Sequence, residues 1–193
     1  LHHTLDELRI TGGEPLMSGY TWQLIDWFKT NKGKSQTRLA INSNLGTDVD
    51  IDRLLASTGG MNIDLYTSNE SMNGQAEYIR DGLDFAQWLS NVNLLLSSDR
   101  VRAVHSMCTI NALCLDSLPS YLSLLLGLKQ RWGRNRINFT LNILRFPSFQ
   151  SVLVLPPDMR RAAADRLDSW MSRHGDNARL HGMERDHVNR LAE

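Results

Sequence analysis

Cysteine is scarce in this chain. Its 193 residues hold two, Cys108 and Cys114, too few for the disulfide framework of a small secreted domain. No apolar run approaches the roughly 18–20 residues that span a bilayer, and no leader of basic, apolar and small residues opens the chain. Net charge is missing as well. The 21 Lys and Arg are balanced by 21 Asp and Glu, which removes the overall basicity that nucleic-acid binding draws on. Neither a Gly-x-Ser-x-Gly elbow nor a Walker-type phosphate loop occurs. These absences point to a soluble, cytoplasmic protein with no membrane or nucleic-acid partner. The 41% hydrophobic content is enough for one substantial core. The first residue is Leu1 rather than methionine, as expected of a fragment.

What is present is a repeated pattern. Glu7 to Thr11 alternates apolar and polar side chains like a strand, and Trp22, Ile25 and Phe28 then recur at helical spacing between Thr21 and Asn31. The same order follows in a strand over 37–43 and a short helix over 50–57, then in a strand over 60–67 and a helix over 75–97. A strand over 101–110 leads to a helix from about Asp116, where Asp or Ser can cap and Pro119 suits the first turn. Residues 136–144 alternate Ile137, Phe139, Leu141 and Ile143 with polar neighbours. Pro156 and Pro157 open a last helix to about Arg173, and the His- and Arg-rich tail beyond has weak periodicity.

Strands alternating with helices predict a parallel α/β sheet, either doubly wound or a part-barrel. Polar residues gather just after the strands, at Thr11 to Glu14, Asn42 to Asn44, Thr67 to Asn69 and Thr109 to Asn111. That carboxyl edge is where parallel α/β folds bind ligands, and four polar strand ends favour the barrel. Charge is also divided along the chain: residues 1–96 carry 7 Lys/Arg against 12 Asp/Glu, and residues 97–193 carry 14 against 9. A solvated basic face accounts for most of this asymmetry.

The segment Thr11-Gly12-Gly13-Glu14-Pro15-Leu16 is the most informative. Paired glycines let backbone approach a ligand, Glu14 is a charged acceptor for an ammonium or hydroxyl, and Pro15 fixes the exit direction. A tight turn would use the same residues. The segment resembles the Gly-Gly-Glu motif after the second strand of radical S-adenosylmethionine (SAM) enzymes. Residues Ser68 to Asp84 resemble the fourth strand-to-helix junction of a subgroup that often carries Twitch- or SPASM-type extensions. Thr109 to Leu113 with Asp116, Leu118 and Pro119, and Asn142 to Leu144 with Pro147, resemble the next two junctions.

The resemblance implies a partial (β/α)6 TIM-like barrel over residues 1–155, with residues 156–193 a C-terminal helix and polar tail. It implies that Gly12, Gly13 and Glu14 receive the amino group of SAM, and that Ser68 and Arg80 contact its ribose or carboxylate. Asn44 and Asn111 are weaker candidates for ribose or adenine, with loop capping as the alternative for both; for Arg80 the alternative is a surface pair with Glu77 or Asp84. The family holds a [4Fe–4S] cluster through a Cys-x3-Cys-x2-Cys loop after its first strand, which this sequence lacks. The missing first strand and cluster ligands are therefore expected upstream of Leu1, and no metal ligand is assigned within the chain. The implied activity is reductive cleavage of SAM to a 5′-deoxyadenosyl radical that abstracts hydrogen from a substrate, with a peptide or protein as the substrate class that Twitch- and SPASM-type relatives suggest. A flavodoxin or ferredoxin would supply the electron. A degenerate, noncatalytic part-barrel is the competing reading.

Other residues carry weaker signals. His2 and His3 read as a flexible terminus, His105 as a satisfied core histidine, and His174, His181 and His187 as parts of a solvated tail. The five tryptophans, in helical stretches, read mostly as core.

Overall fold

The computed structural model describes residues 5–31, 37–59 and 61–193; His2 and His3 lie outside them. The elements follow in the order β1 Glu7–Ile10, α1 Gly19–Asn31, β2 Arg38–Asn42, α2 Ile51–Ser57, β3 Asn62–Ser68, α3 Asn73–Ile79, α4 Phe85–Ser97, β4 Val101–Ile110, α5 Leu118–Trp132, β5 Ile137–Ile143, α6 Pro157–His174 and α7 Gly182–Ala192. The five strands form a parallel sheet in sequence order, β1-β2-β3-β4-β5. Among the described residues no helix is long and apolar enough to cross a membrane.

Two expectations are corrected. The helix expected over 75–97 is two helices, because Gly82 takes φ +78° and the Asp84 carboxylate caps a fresh N-terminus by accepting the Gln87 N–H at 2.9 Å. The weakly periodic tail contains a further helix: residues 182–192 form α7, with Glu184 and Val188 buried and most of the rest at least partly exposed. The tryptophan reading holds for Trp22, Trp88 and Trp170, which are buried, whereas Trp27 is half exposed.

The chain divides into two compact units, residues 1–67 with 82–105 and residues 68–81 with 106–193. In the first, the register sets Leu8, Leu39 and Ile63 abreast, and Ile10, Ile41 and Leu65 abreast. Leu39, Ile41, Ile63 and Leu65 are buried, as are Ile25, Phe28, Leu54, Val92 and Leu95 from α1, α2 and α4. The alternate row is polar, with Glu7 abreast of Arg38 and Asn62, and Arg9 abreast of Ala40 and Asp64. This unit therefore has one aliphatic sheet face and one charged face.

In the second unit α5 and α7 pack on β5, and α6 packs on α5 and α7. Lys129 and Glu184 are fully buried and paired at 2.9 Å. The same Glu184 oxygen accepts the Phe139 N–H at 3.1 Å, and the other accepts the His181 N–H at 2.8 Å. Lys129 also donates to the Arg134 carbonyl at 3.1 Å. Burial pulls the Lys129 ammonium below the ordinary lysine range, with Glu184 opposing.

Candidate functional site

In the first unit, the loop after β1 is shaped by its glycines. Gly12 and Gly13 take φ +98° and +56°, the left-handed region open to glycine at little cost, and a side chain at either would meet nothing within 4 Å. Glycine is required here by the backbone rather than by crowding. Glu14 then caps the 3-10 turn Pro15–Met17. One of its carboxylate oxygens accepts the Leu16 N–H at 3.1 Å, and the other accepts the Asn44 N–H at 2.6 Å. The turn is pinned to α1 by the Trp22 indole, which donates to the Leu16 carbonyl at 3.0 Å.

Glu14 thus ties the loops after β1 and β2 together. The second loop has its own brace: Leu45, at φ +53°, is buried, and Asn91 of α4 donates to the carbonyls of Leu45 and Gly46 at 3.0 and 3.2 Å. The Asn44 side chain accepts the Gly46 N–H at 2.9 Å. The Asn44 side chain thus caps its own loop, and its backbone amide is held by Glu14.

In the second unit, the segment after β3 runs through Asn69, Glu70 and Ser71, all buried. Ser68, the last residue of β3, is partly exposed. Arg80, at the C-cap of α3, pairs with Glu70 at 2.6 Å. Its partner is a buried carboxylate, a different arrangement from the surface pair with Glu77 or Asp84. The Arg80 Nε is buried and without a hydrogen-bond partner, so one edge of the guanidinium is held and a donor on it stays unmet. Ser71 bonds Ser117 at 2.6 Å, and Ser106 bonds Tyr121 at 2.7 Å. Asn111 caps its loop, accepting the Leu113 N–H at 2.9 Å and donating to the Thr109 carbonyl at 3.2 Å.

The two cysteines are chemically quiet. Burial pushes both thiols up to about 12, so each is a neutral, poorly nucleophilic group at pH 7. Among the described residues no three His, Cys, Asp or Glu side chains gather to hold a metal.

One cluster was not anticipated from the sequence. On the charged face of the first unit, Glu7 bonds Arg9 at 2.9 Å and also bonds Arg38. Arg38 reaches Asp64 at 3.3 Å, and Arg102 closes on the same carboxylate. The Arg38 and Arg9 guanidiniums hold Glu7 below the usual carboxylate range. At Asp64 burial pushes the carboxyl up, but His105 and Arg102 outweigh it and the net shift is downward. Tyr66 lies under the Arg9 guanidinium at 4.3 Å and stacks on His105 at 4.4 Å; the small Ala40 leaves Arg9 room to cross β2. His105 is not satisfied as expected, since its Nε2 lies 3.9 Å from Asp64 Oδ1 and neither atom has a hydrogen-bond partner. The alternation of Glu7, Arg9 and Arg38 with aliphatic residues is the signal that could have revealed this face.

No family model matches the chain, and no curated protein matches it.

Proposed function

We propose that this chain is the larger part of a radical SAM catalytic domain built as a partial (β/α)6 barrel. The observation that carries the reading is the Glu14 loop, in which two glycines in left-handed conformations deliver a carboxylate held by two backbone amides. A carboxylate has about four lone-pair sites, so a Glu14 with one donor on each oxygen keeps capacity for an ammonium. The space beside Gly12 and Gly13 is open. These features fit the amino end of SAM. In the second unit, the unmet Arg80 Nε is a donor suited to a carboxylate. Ser68 remains a candidate by position, and Asn44 and Asn111 act through the loops they cap.

The barrel is supported by the charged sheet face of the first unit. A doubly wound sheet is covered by helices on both faces and reads apolar on both, whereas Glu7, Arg9, Arg38 and Asp64 fill one face here. When bound, SAM and a [4Fe–4S] cluster supply reductive cleavage and hydrogen abstraction; this chain's residues bind, orient and shield. Cys108 and Cys114 do not fit the cluster, being two buried thiols of raised pKa, and no step is assigned to them. The reading requires three cysteines outside these 193 residues. The substrate, in this proposal a peptide or protein, would meet the carboxyl ends of the strands, and a flavodoxin or ferredoxin would deliver the electron.

The test is made on the full-length gene product, reconstituted anaerobically with iron and sulfide and given dithionite and SAM. Release of 5′-deoxyadenosine, reduced at least tenfold by Glu14→Gln, is expected. A reconstituted protein with no [4Fe–4S] signal, or one that releases no 5′-deoxyadenosine, would overturn the proposal and leave a noncatalytic part-barrel.

A further inference from the structure

β5 is the last strand of the sheet, and its outer edge is covered by side chains rather than by another strand. On its inner side the chain continues the ladder, the Leu144 N–H donating to the Ile110 carbonyl at 2.8 Å. On its outer side the Phe139 N–H goes to Glu184 at 3.1 Å and the Leu141 N–H to His187 Nδ1 at 2.9 Å. Glu184 and His187 stand three residues apart on α7, so one helical face caps two alternate amides of the edge.

The two caps differ in chemistry. Glu184 is locked by Lys129 and by the His181 N–H. His187 accepts through Nδ1, which is possible only for a neutral imidazole carrying its proton on Nε2. A second proton on the ring converts the acceptor into a donor facing the donor of Leu141.

We propose that α7 is a proton-gated cover of the β5 edge, released from Leu141 when His187 is protonated. The surroundings set the threshold. Burial holds His187 below the ordinary histidine range; on α7 itself Arg190 adds to this, while Asp186 and Glu184 oppose it. From the chain after β5, Arg145 lines the same recess of about 400 Å³ as His187 and Arg190. Lys129 of α5 faces Glu184. The charged groups of α6, Arg160, Arg161, Asp165 and Asp168, line a neighbouring recess with Arg190. The sign follows from linkage: a histidine whose folded pKa is depressed stabilises the docked state above its unfolded value near 6.5, and that contribution is lost as pH falls through the lower folded value. Release bares an unpaired strand edge, and it does so whether or not the chain serves SAM chemistry.

Amide exchange measured on this chain between pH 7.5 and 5, with rates normalised to those of unstructured peptides, tests the gate. Protection at Leu141 is expected to fall by up to about tenfold per pH unit between the unfolded value near 6.5 and the lower folded value, and to level off below it, while Leu39 and Ile41 of β2 keep theirs. His187→Asn places an amide oxygen where Nδ1 stood and cannot titrate, so its protection should not change with pH. Ring NMR of the wild-type protein supplies a second readout, in which the His187 shift should move in step with the Leu141 amide. Unchanged protection in the wild type, an equal fall in His187→Asn, or simultaneous loss at β2 would each overturn the proposal.

Discussion

Two glutamates in this protein do similar local work in opposite surroundings. Glu14 and Glu184 each accept two backbone N–H groups, and each joins its own segment to a distant strand or loop. Glu14 does so at a solvent-facing loop beside two glycines. Glu184 does so in the interior, 1% exposed and against a lysine that is 0% exposed. A carboxylate near water keeps spare acceptor capacity and loses little when altered, which suits a ligand site. A buried one is committed on every side, so any change leaves a charge or a donor stranded.

The same substitution at both positions separates the two roles. Glu184→Gln leaves the Lys129 ammonium buried without its counter-charge, and a loss of about 3–5 kcal/mol in urea unfolding is expected. Adding Lys129→Met should recover part of it: the buried ammonium is gone and the glutamine oxygen still accepts the Phe139 N–H, but the His181 N–H then faces the amide NH2 and the Arg134 carbonyl loses its donor. Asp64→Asn tests the other buried carboxylate, which faces Arg38 and Arg102; about 1.5–3 kcal/mol is expected. It also removes a pH dependence. A carboxyl with a lowered folded pKa stabilises fully above its unfolded value near 4 and loses that contribution as pH falls through the lower folded value. Urea midpoints of the wild type should therefore decline on acidification below pH 4, and the Asp64→Asn curve should be flatter. Gly13→Ala forces φ +56° on an L side chain that meets no neighbour, so the cost is backbone alone, about 1–2 kcal/mol. Glu14→Gln comes last, at under about 1 kcal/mol, since its two loop amides can turn to water. A Glu14 variant that destabilised as much as Glu184→Gln would erase the distinction and assign the loop to structure.

The strands were legible because period two leaves a strong trace: β4 occupies the residues read from the sequence, β1 ends one residue early, β2 and β5 are one residue shorter at each end, and β3 runs from Asn62 to Ser68 against an expected 60–67, of which Gly60 lies outside the described residues. The Gly12, Gly13 and Glu14 loop was legible because glycine pairs report backbone conformation directly. α7 was not, because one of its two buried positions is Glu184 and the half-buried His187 also faces β5; both count as polar in any periodicity and bond partners some 45 residues away. The break at Gly82 was missed because a single glycine and an Asp cap are weak against two flanking helical stretches. Asn44 and Asn111 show a different limit. An asparagine after a strand caps a loop or touches a ligand with the same atoms, so residue type alone does not separate the two; here both side chains cap their loops.

The charged row across β1, β2, β3 and β4 has a consequence for how the chain assembles. Sliding β2 by one residue against its neighbours would carry Arg38 into the aliphatic layer and Leu39 into the row of Glu7 and Asp64. Each misalignment would bury an uncompensated charge. The row thus acts as a proofreading key for strand alignment, rejecting neighbouring registers that a purely greasy sheet would tolerate.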